Sequence, residues 1–158
     1  MIRTAATEAL DSRLAVYEVL PYRVDEADLG AEHIMRELGG DRDRVFKTLV
    51  LKGNKTGPFV CVIPGDAGLD FKKAAKASGN RKCSMIPPEA LEELTGYVRG
   101  GCSPLGMPAA LPVLFHQTAA TLPDIIVNAG IRGHVLRLSP QDALRCANAT
   151  LADLTASG

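Results

Sequence analysis

The chain of 158 residues has no tryptophan and only four phenylalanines and three tyrosines. A protein this poor in aromatics does not hold a nucleic acid mainly by stacking bases on its side chains. Neither sign of charge is in excess, with 18 lysines and arginines against 18 aspartates and glutamates. Generic polyanion binders draw their affinity from many phosphate contacts, so a neutral chain is not one of them; contact with a few phosphates at one spot stays open. The four cysteines (Cys61, Cys83, Cys102 and Cys146) form no CxxC pair. They and the scattered histidines, His33, His116 and His134, do not fall at zinc-ligand intervals. No metal and no cofactor are therefore expected. No charged-then-apolar leader is seen, and every apolar run is far shorter than the ~20 residues of a membrane span. The expectation is a cytoplasmic protein with free thiols and no membrane partner.

What remains is an ordinary globular composition, 46% apolar and 23% charged. A chain of this length buries roughly 70% of its unfolded surface, enough for a core without staples. No repeat, low-complexity tract or Pro/Ser-rich linker divides it, so one domain over residues 1–158 is expected. Thr4 caps a helix in which Ala6, Ala9, Leu10 and Leu14 recur at helical spacing. Ala15 to Tyr22 reads as a strand, and Leu29 to Leu38 as a helix stopped by Gly39-Gly40. Val45 to Lys52 and Phe59 to Ile63 read as a hairpin around the turn at Gly53 to Gly57. Asp70 caps a basic helix to Ser78, Lys82 to Met85 is a short strand, and Pro87-Pro88 opens another helix. Leu111 to Phe115, Asp124 to Asn128 and His134 to Leu138 read as strands. Ser139-Pro140-Gln141-Asp142 starts a last helix. Irregular interleaving with a hairpin predicts an α+β or mixed α/β fold rather than a regular βαβ one.

Four features could carry chemistry. Lys47 shares a strand face with Val45, Leu49 and Leu51, the more apolar face. An unpaired ammonium there needs a carboxylate, a route to solvent or a ligand oxygen, although a snorkelling or edge lysine fits the pattern as well. Gly100-Gly101-Cys102-Ser103-Pro104-Leu105-Gly106 places three glycines in seven residues. Such a loop lets backbone N–H groups approach an anion or oxyanion, or is a plain turn. It matches neither the Walker nor the dinucleotide pattern. Lys72, Lys73, Lys76, Arg81 and Lys82 form a basic run without an acid, either a small polyanion contact or a solvated helix face. Asn128-Ala129-Gly130-Ile131-Arg132-Gly133 is a strand-end loop, a position that often carries binding groups, or a hairpin turn. No GxSxG elbow is present, and Cys102 has no implied partner base.

Taken together, Val45-Phe46-Lys47-Thr48-Leu49, Asp70-Phe71-Lys72-Lys73-Ala74-Ala75-Lys76, Thr95-Gly96-Tyr97-Val98-Arg99 with the glycine loop, and Ala129-Gly130-Ile131-Arg132-Gly133 resemble the YbaK/EbsC family. That family is related to the editing domain of bacterial prolyl-tRNA synthetases. The order and spacing match from Thr4 to about Leu154. The resemblance implies a mixed, barrel-like β-sheet surrounded by helices. It also implies hydrolysis of Cys-tRNA(Pro), with the substrate's own thiol attacking the ester, so that no protein nucleophile is needed. Lys47 matches the family's functional lysine and would hold the terminal adenosine or its phosphate. Amides around Gly101 and Ser103 would polarise the ester carbonyl. Gly100, Cys102 and Pro104 would cradle the aminoacyl group, with Tyr22, Leu29, Asn128, Ala129 and Gly130 lining the pocket. Lys72, Lys73 and Lys76 would touch the acceptor stem. Asn128 stands where the family often has serine, and Leu29 where it often has phenylalanine. The implied partners are a mischarged tRNA and prolyl-tRNA synthetase. The alternatives are a deacylase for Ala-, Ser- or Thr-tRNA and a non-catalytic module that binds tRNA or a synthetase.

Overall fold

The computed structural model describes residues 2–109 and 111–156. Helix α1 (Ala5–Ser12) opens with a capping box: the Thr4 hydroxyl accepts from the Thr7 amide, and the Thr7 hydroxyl accepts from the Thr4 amide. It ends before Leu14, which helical spacing had placed on its apolar face. The Ala15 amide bonds back to Leu10 and the Leu14 amide to Asp11, a Schellman closure. Leu14 takes its left-handed position at φ +57 and is 88% exposed. The buried stripe of α1 is therefore Ala6 and Leu10.

Eight strands follow in two sheets. In the first, β1 (Tyr17–Pro21) pairs antiparallel with β7 (His134–Leu138), which pairs antiparallel with β6 (Ile125–Asn128). The second has the order β4 (Cys83–Met85), β2 (Phe46–Gly53), β3 (Gly57–Pro64), β5 (Val113–His116), β8 (Ala149–Ala152). Its first two pairings are antiparallel and its last two parallel. The sheets meet where Val45 bridges Ile126. Phe46 and Val62 of the second sheet share one apolar cluster with Ile125 and Leu136 of the first. This is the mixed, barrel-like arrangement expected, with the wall made of two joined sheets.

Helix α2 (Ala31–Leu38) starts two residues after Leu29, because Gly30 is its extended N-cap. Asp70 caps α3 (Phe71–Ser78) by accepting from the Lys73 amide, and Ser139 caps α5 (Pro140–Ala147) by accepting from Asp142. Pro88–Ala90 is a 3-10 turn leading into the short helix α4 (Leu91–Thr95). Strand β8 is absent from the sequence reading; its four residues offer one large apolar side chain, and its place is set by parallel pairing to β5.

Strand β3 is buried on both faces. Val60 and Val62 turn to the shared cluster; Phe59, Cys61 and Ile63 turn to a second one with Leu51, Ala74 of α3 and Leu154. The C-terminal segment that closes this second cluster is anchored by His116, whose Nδ1 accepts the Leu154 amide at 3.0 Å. Lys73 adds an ion pair to Asp153 at 3.0 Å and a hydrogen bond to the Thr155 carbonyl at 2.9 Å.

Candidate active site

The pairing of β2 determines where the cleft lies. Strand β3 accompanies β2 along its full length, but β4 pairs with it only at Leu51–Gly53, and the one bridge to β6 lies just before it, at Val45. Between those points, Phe46 to Val50 lie along a cleft of about 520 Å³, an ordinary size for a small-ligand site. Its deep wall is apolar and buried: Ile34, Phe46, Ile126, Val127 and Val135. Its rim is more open, with Met85 at 43% exposure, Pro88, and Arg99 at the start of the glycine loop. Among the described lining residues only Lys47 and Arg99 are charged, and both are cations.

Lys47 sits where strand alternation puts it. Its cross-strand partner is Ile63, and Leu49 and Leu51 follow it on the face of the second cluster. The residue is half-buried and lines the cleft. Among the described residues no carboxylate forms an ion pair with it. A long side chain in that position can reach solvent or an anionic ligand with its head group.

The glycine loop divides between cleft and core. Gly100 and Cys102 line the cleft, while Gly101, Ser103, Pro104 and Leu105 are buried. The Gly101 amide donates to the Val98 carbonyl at 3.0 Å, so it is not the free donor that the sequence reading supposed. A Cβ on Gly101 would stand 3.1 Å from the Ile131 backbone, which accounts for the glycine by packing. The Ser103 hydroxyl accepts from the Leu105 amide at 3.2 Å, closing a local turn rather than facing the cleft. Pro104 and Gly106 line a second cavity on the side of α1 and α5. Burial pushes the Cys102 thiol up to about 12, with only partial relief from a hydrogen bond to Thr95. At neutral pH it is a protonated thiol and not a nucleophile.

The remaining expected residues fall at graded distances from the cleft. Leu29 and Asn128 line it. Tyr22 stands one layer back, its hydroxyl 3.5 Å from the Gly100 carbonyl and its ring edge-on to His33. Ala129 is buried and its carbonyl accepts from Thr4, and Gly130 packs against Thr4 and Tyr97. These two shape the β6–β7 turn and do not line the cleft. Lys72 and Lys76 are exposed on α3, while Lys73 is engaged by Asp153; none of the three lines the cleft.

Two lining residues escaped the sequence reading. Arg99 lies within the Thr95 to Arg99 motif, beside glycines that carry the stronger sequence signal. Thr48 alternates with Lys47 and looked like an ordinary strand residue. The Thr48 Oγ1 and Asn128 Oδ1 atoms are buried and have no hydrogen-bond partner among the described residues. Each such group costs about 1–3 kcal/mol when left unpaired, and here both belong to cleft residues.

The family model of the aminoacyl-tRNA editing domain matches residues 26–146, a span that includes every lining residue of the cleft. The chain belongs to the aminoacyl-tRNA editing family. EbsC of Enterococcus faecalis, named as a Cys-tRNA(Pro)/Cys-tRNA(Cys) deacylase, is 43% identical over 153 residues, covering 97% of this chain and 93% of EbsC. The uncharacterized YwhH of Bacillus subtilis is 26% identical over 111 residues, 70% of each chain. A crystal structure described as a trans-editing enzyme for prolyl-tRNA synthetase superposes with TM-score 0.81 at 25% identity, covering 98% of this chain and 99% of that one. As an editing-family member the chain has Lys47 and Gly100, both inside the matched span, lining one cleft.

Proposed function

We propose that this chain is a trans-editing deacylase that hydrolyses the ester of mischarged Cys-tRNA(Pro). The observation that carries this reading is the cleft's chemistry. It offers an apolar chamber, two cations at its walls and no protein nucleophile. Ser103 is buried in a turn and Cys102 is held protonated. None of His33, His116 and His134 lines the cleft. Such a site suits a substrate that supplies its own nucleophile. The cysteinyl sulfur attacks the ester carbonyl carbon, the carbon–oxygen bond to the ribose breaks, and the thiol proton passes to the leaving ribose oxygen. Water then opens the resulting thiolactone.

In this reading Lys47 holds the terminal adenosine or its phosphate. The amides of Cys102 and Ser103, rather than that of Gly101, polarise the carbonyl; an oxyanion donor of this kind contributes about 10²–10³-fold in rate. Leu29, Gly100 and Asn128 shape the acyl chamber, with Tyr22 supporting Gly100 from behind. Pro104, Ala129 and Gly130 fix the two loops that frame it. Prolyl-tRNA synthetase is the partner that would present the tRNA, since the protein has little basic surface of its own.

Deacylation of Cys-, Ala-, Ser- and Thr-charged tRNA(Pro), with and without prolyl-tRNA synthetase, tests the assignment. Cys-tRNA(Pro) should be cleared at least about tenfold faster than the others, the scale expected when a pocket and a participating group both discriminate. Faster clearance of Ala-, Ser- or Thr-tRNA would move the substrate and exclude thiol assistance. Tight binding with no loss of any ester would make the chain a binding module.

A further inference from the structure

The deacylase reading gives the cleft's second cation no role of its own. Arg99 lines the same cleft as Lys47 and, unlike it, is exposed. Its backbone is held firmly. The Arg132 Nε donates to the Arg99 carbonyl at 2.8 Å, and the same guanidinium pairs with Glu26 at 2.9 Å. The next residue, Gly100, is at φ +87 with Arg132 and Leu29 packed around it. Arg132 is thus a strut between the glycine loop and the segment before α2. The Arg99 guanidinium itself has no carboxylate or other acceptor within hydrogen-bonding distance among the described residues. Beside it the rim is apolar, formed by Met85, Pro88 and Leu91.

We infer that Arg99 is a second phosphate seat, for an internucleotide phosphate of the tRNA's single-stranded 3′ end, with Lys47 kept for the terminal adenosine and the Met85, Pro88 and Leu91 rim as the surface on which the preceding base rests. This rests on the deacylase reading for the identity of the ligand. A planar guanidinium with five donors matches a phosphodiester, and a fixed backbone with a free head makes such a contact without reorganisation. A base can lie on an apolar rim without an aromatic partner, in keeping with a chain that has no tryptophan. The deep wall stays free for the acyl group. The lysines of α3 contribute less, because none of them reaches the cleft and Lys73 is already paired.

The test begins with binding and then turns to deacylation. Binding of an RNA hairpin ending in single-stranded CCA, and of the same hairpin without its CCA, is followed by fluorescence anisotropy across a KCl series. Arg99→Gln should weaken binding of the CCA hairpin about tenfold and flatten the salt dependence by about 0.7 in log–log slope, one single-strand phosphate contact. It should leave binding of the trimmed hairpin unchanged. Arg99→Lys should keep the slope and most of the affinity. In deacylation, Arg99→Gln should raise KM with kcat within about twofold, the signature of uniform binding. Wild-type affinity and slope in Arg99→Gln, or equal loss on both hairpins, overturns the inference, as does a larger loss in Lys72→Gln/Lys76→Gln than in Arg99→Gln. Wild-type protein that binds the CCA hairpin with the predicted slope but leaves every ester intact would overturn the deacylase reading and leave the phosphate seat standing.

Discussion

Gly100 and Cys102 open on the cleft, whereas Gly101 and Ser103 to Leu105, in the same short loop, are buried in the body of the protein. On the buried side, polar groups have local partners: Ser103 takes the Leu105 amide, and the Tyr97 hydroxyl donates to the Leu105 carbonyl. On the cleft side, Thr48 Oγ1 and Asn128 Oδ1 have none. One half of the loop is therefore a packing device and the other a wall of the site. The comparison shows that a glycine-rich loop need not use its glycines to meet a ligand. Gly101 and Gly106 are there because the β6–β7 turn and α1 come too close for a side chain.

Mutations can break this comparison at either end. The largest effect belongs to Gly106→Ala. Its Cβ would sit 2.5 Å from the Ala5 carbonyl oxygen, at φ +71. A loss of about 3–5 kcal/mol is expected, read as a fall in Tm of roughly 10 °C. A near-native Tm would show that α1 yields easily and that the loop is not a packing device. Gly101→Ala meets the Ile131 and Arg132 backbone at 3.1–3.2 Å. It should cost about 1–2 kcal/mol by denaturant melts and slow deacylation by displacing Cys102.

A buried polar group on the packed side offers a pH test. Burial pushes the His116 imidazole below its ordinary value; Asp153 opposes the shift and Lys73 reinforces it. Because Nδ1 accepts the Leu154 amide, protonation must break that bond. The unfolded chain binds the proton more readily than the folded one, so stability rises with pH. The contribution is complete above the ordinary imidazole value of 6.5 and is lost as pH falls below it. Melting curves between pH 5 and 8 should show Tm falling below about 6.5, and His116→Gln, which can still accept the Leu154 amide, should flatten that fall. An unchanged slope in His116→Gln would remove His116 from the account. The smallest effect is expected at the cleft, where Thr48→Val removes an unpartnered hydroxyl: stability within about 1 kcal/mol of wild type, or slightly higher. A loss as large as that of Gly101→Ala would mean that Thr48 is structurally partnered after all, and the contrast between the two sides would fail.

Much of this was legible beforehand because it is local. The Thr4, Asp70 and Ser139 caps and the Gly53 to Gly57 hairpin turn are specified by side chains within a few residues, and each forms as read. The alternation that put Lys47 beside Leu49 and Leu51 is equally local. The end of α1 misled because Leu14 keeps helical spacing while its backbone takes the left-handed closing position. Strand β8 could not be read because parallel pairing to β5, not its own composition, makes it a strand. The division of the glycine loop was hidden for the same reason: Gly101 meets Ile131 and Gly106 meets Ala5, contacts across long stretches of chain. The Lys73–Asp153 pair links residues 80 positions apart in sequence, which is why the basic run read as uniform.

In the proposed deacylation site Lys47 positions a substrate that cleaves itself. Single-turnover hydrolysis of Cys-tRNA(Pro) by wild type and Lys47→Ala, alongside Cys102→Ala, tests it most directly. The account predicts a loss of about 10²-fold or more for Lys47→Ala, the scale of a lost positioning contact, and a rate within a few-fold of wild type for Cys102→Ala. Wild-type clearance by Lys47→Ala, or collapse of the rate in Cys102→Ala with the fold intact, would contradict it.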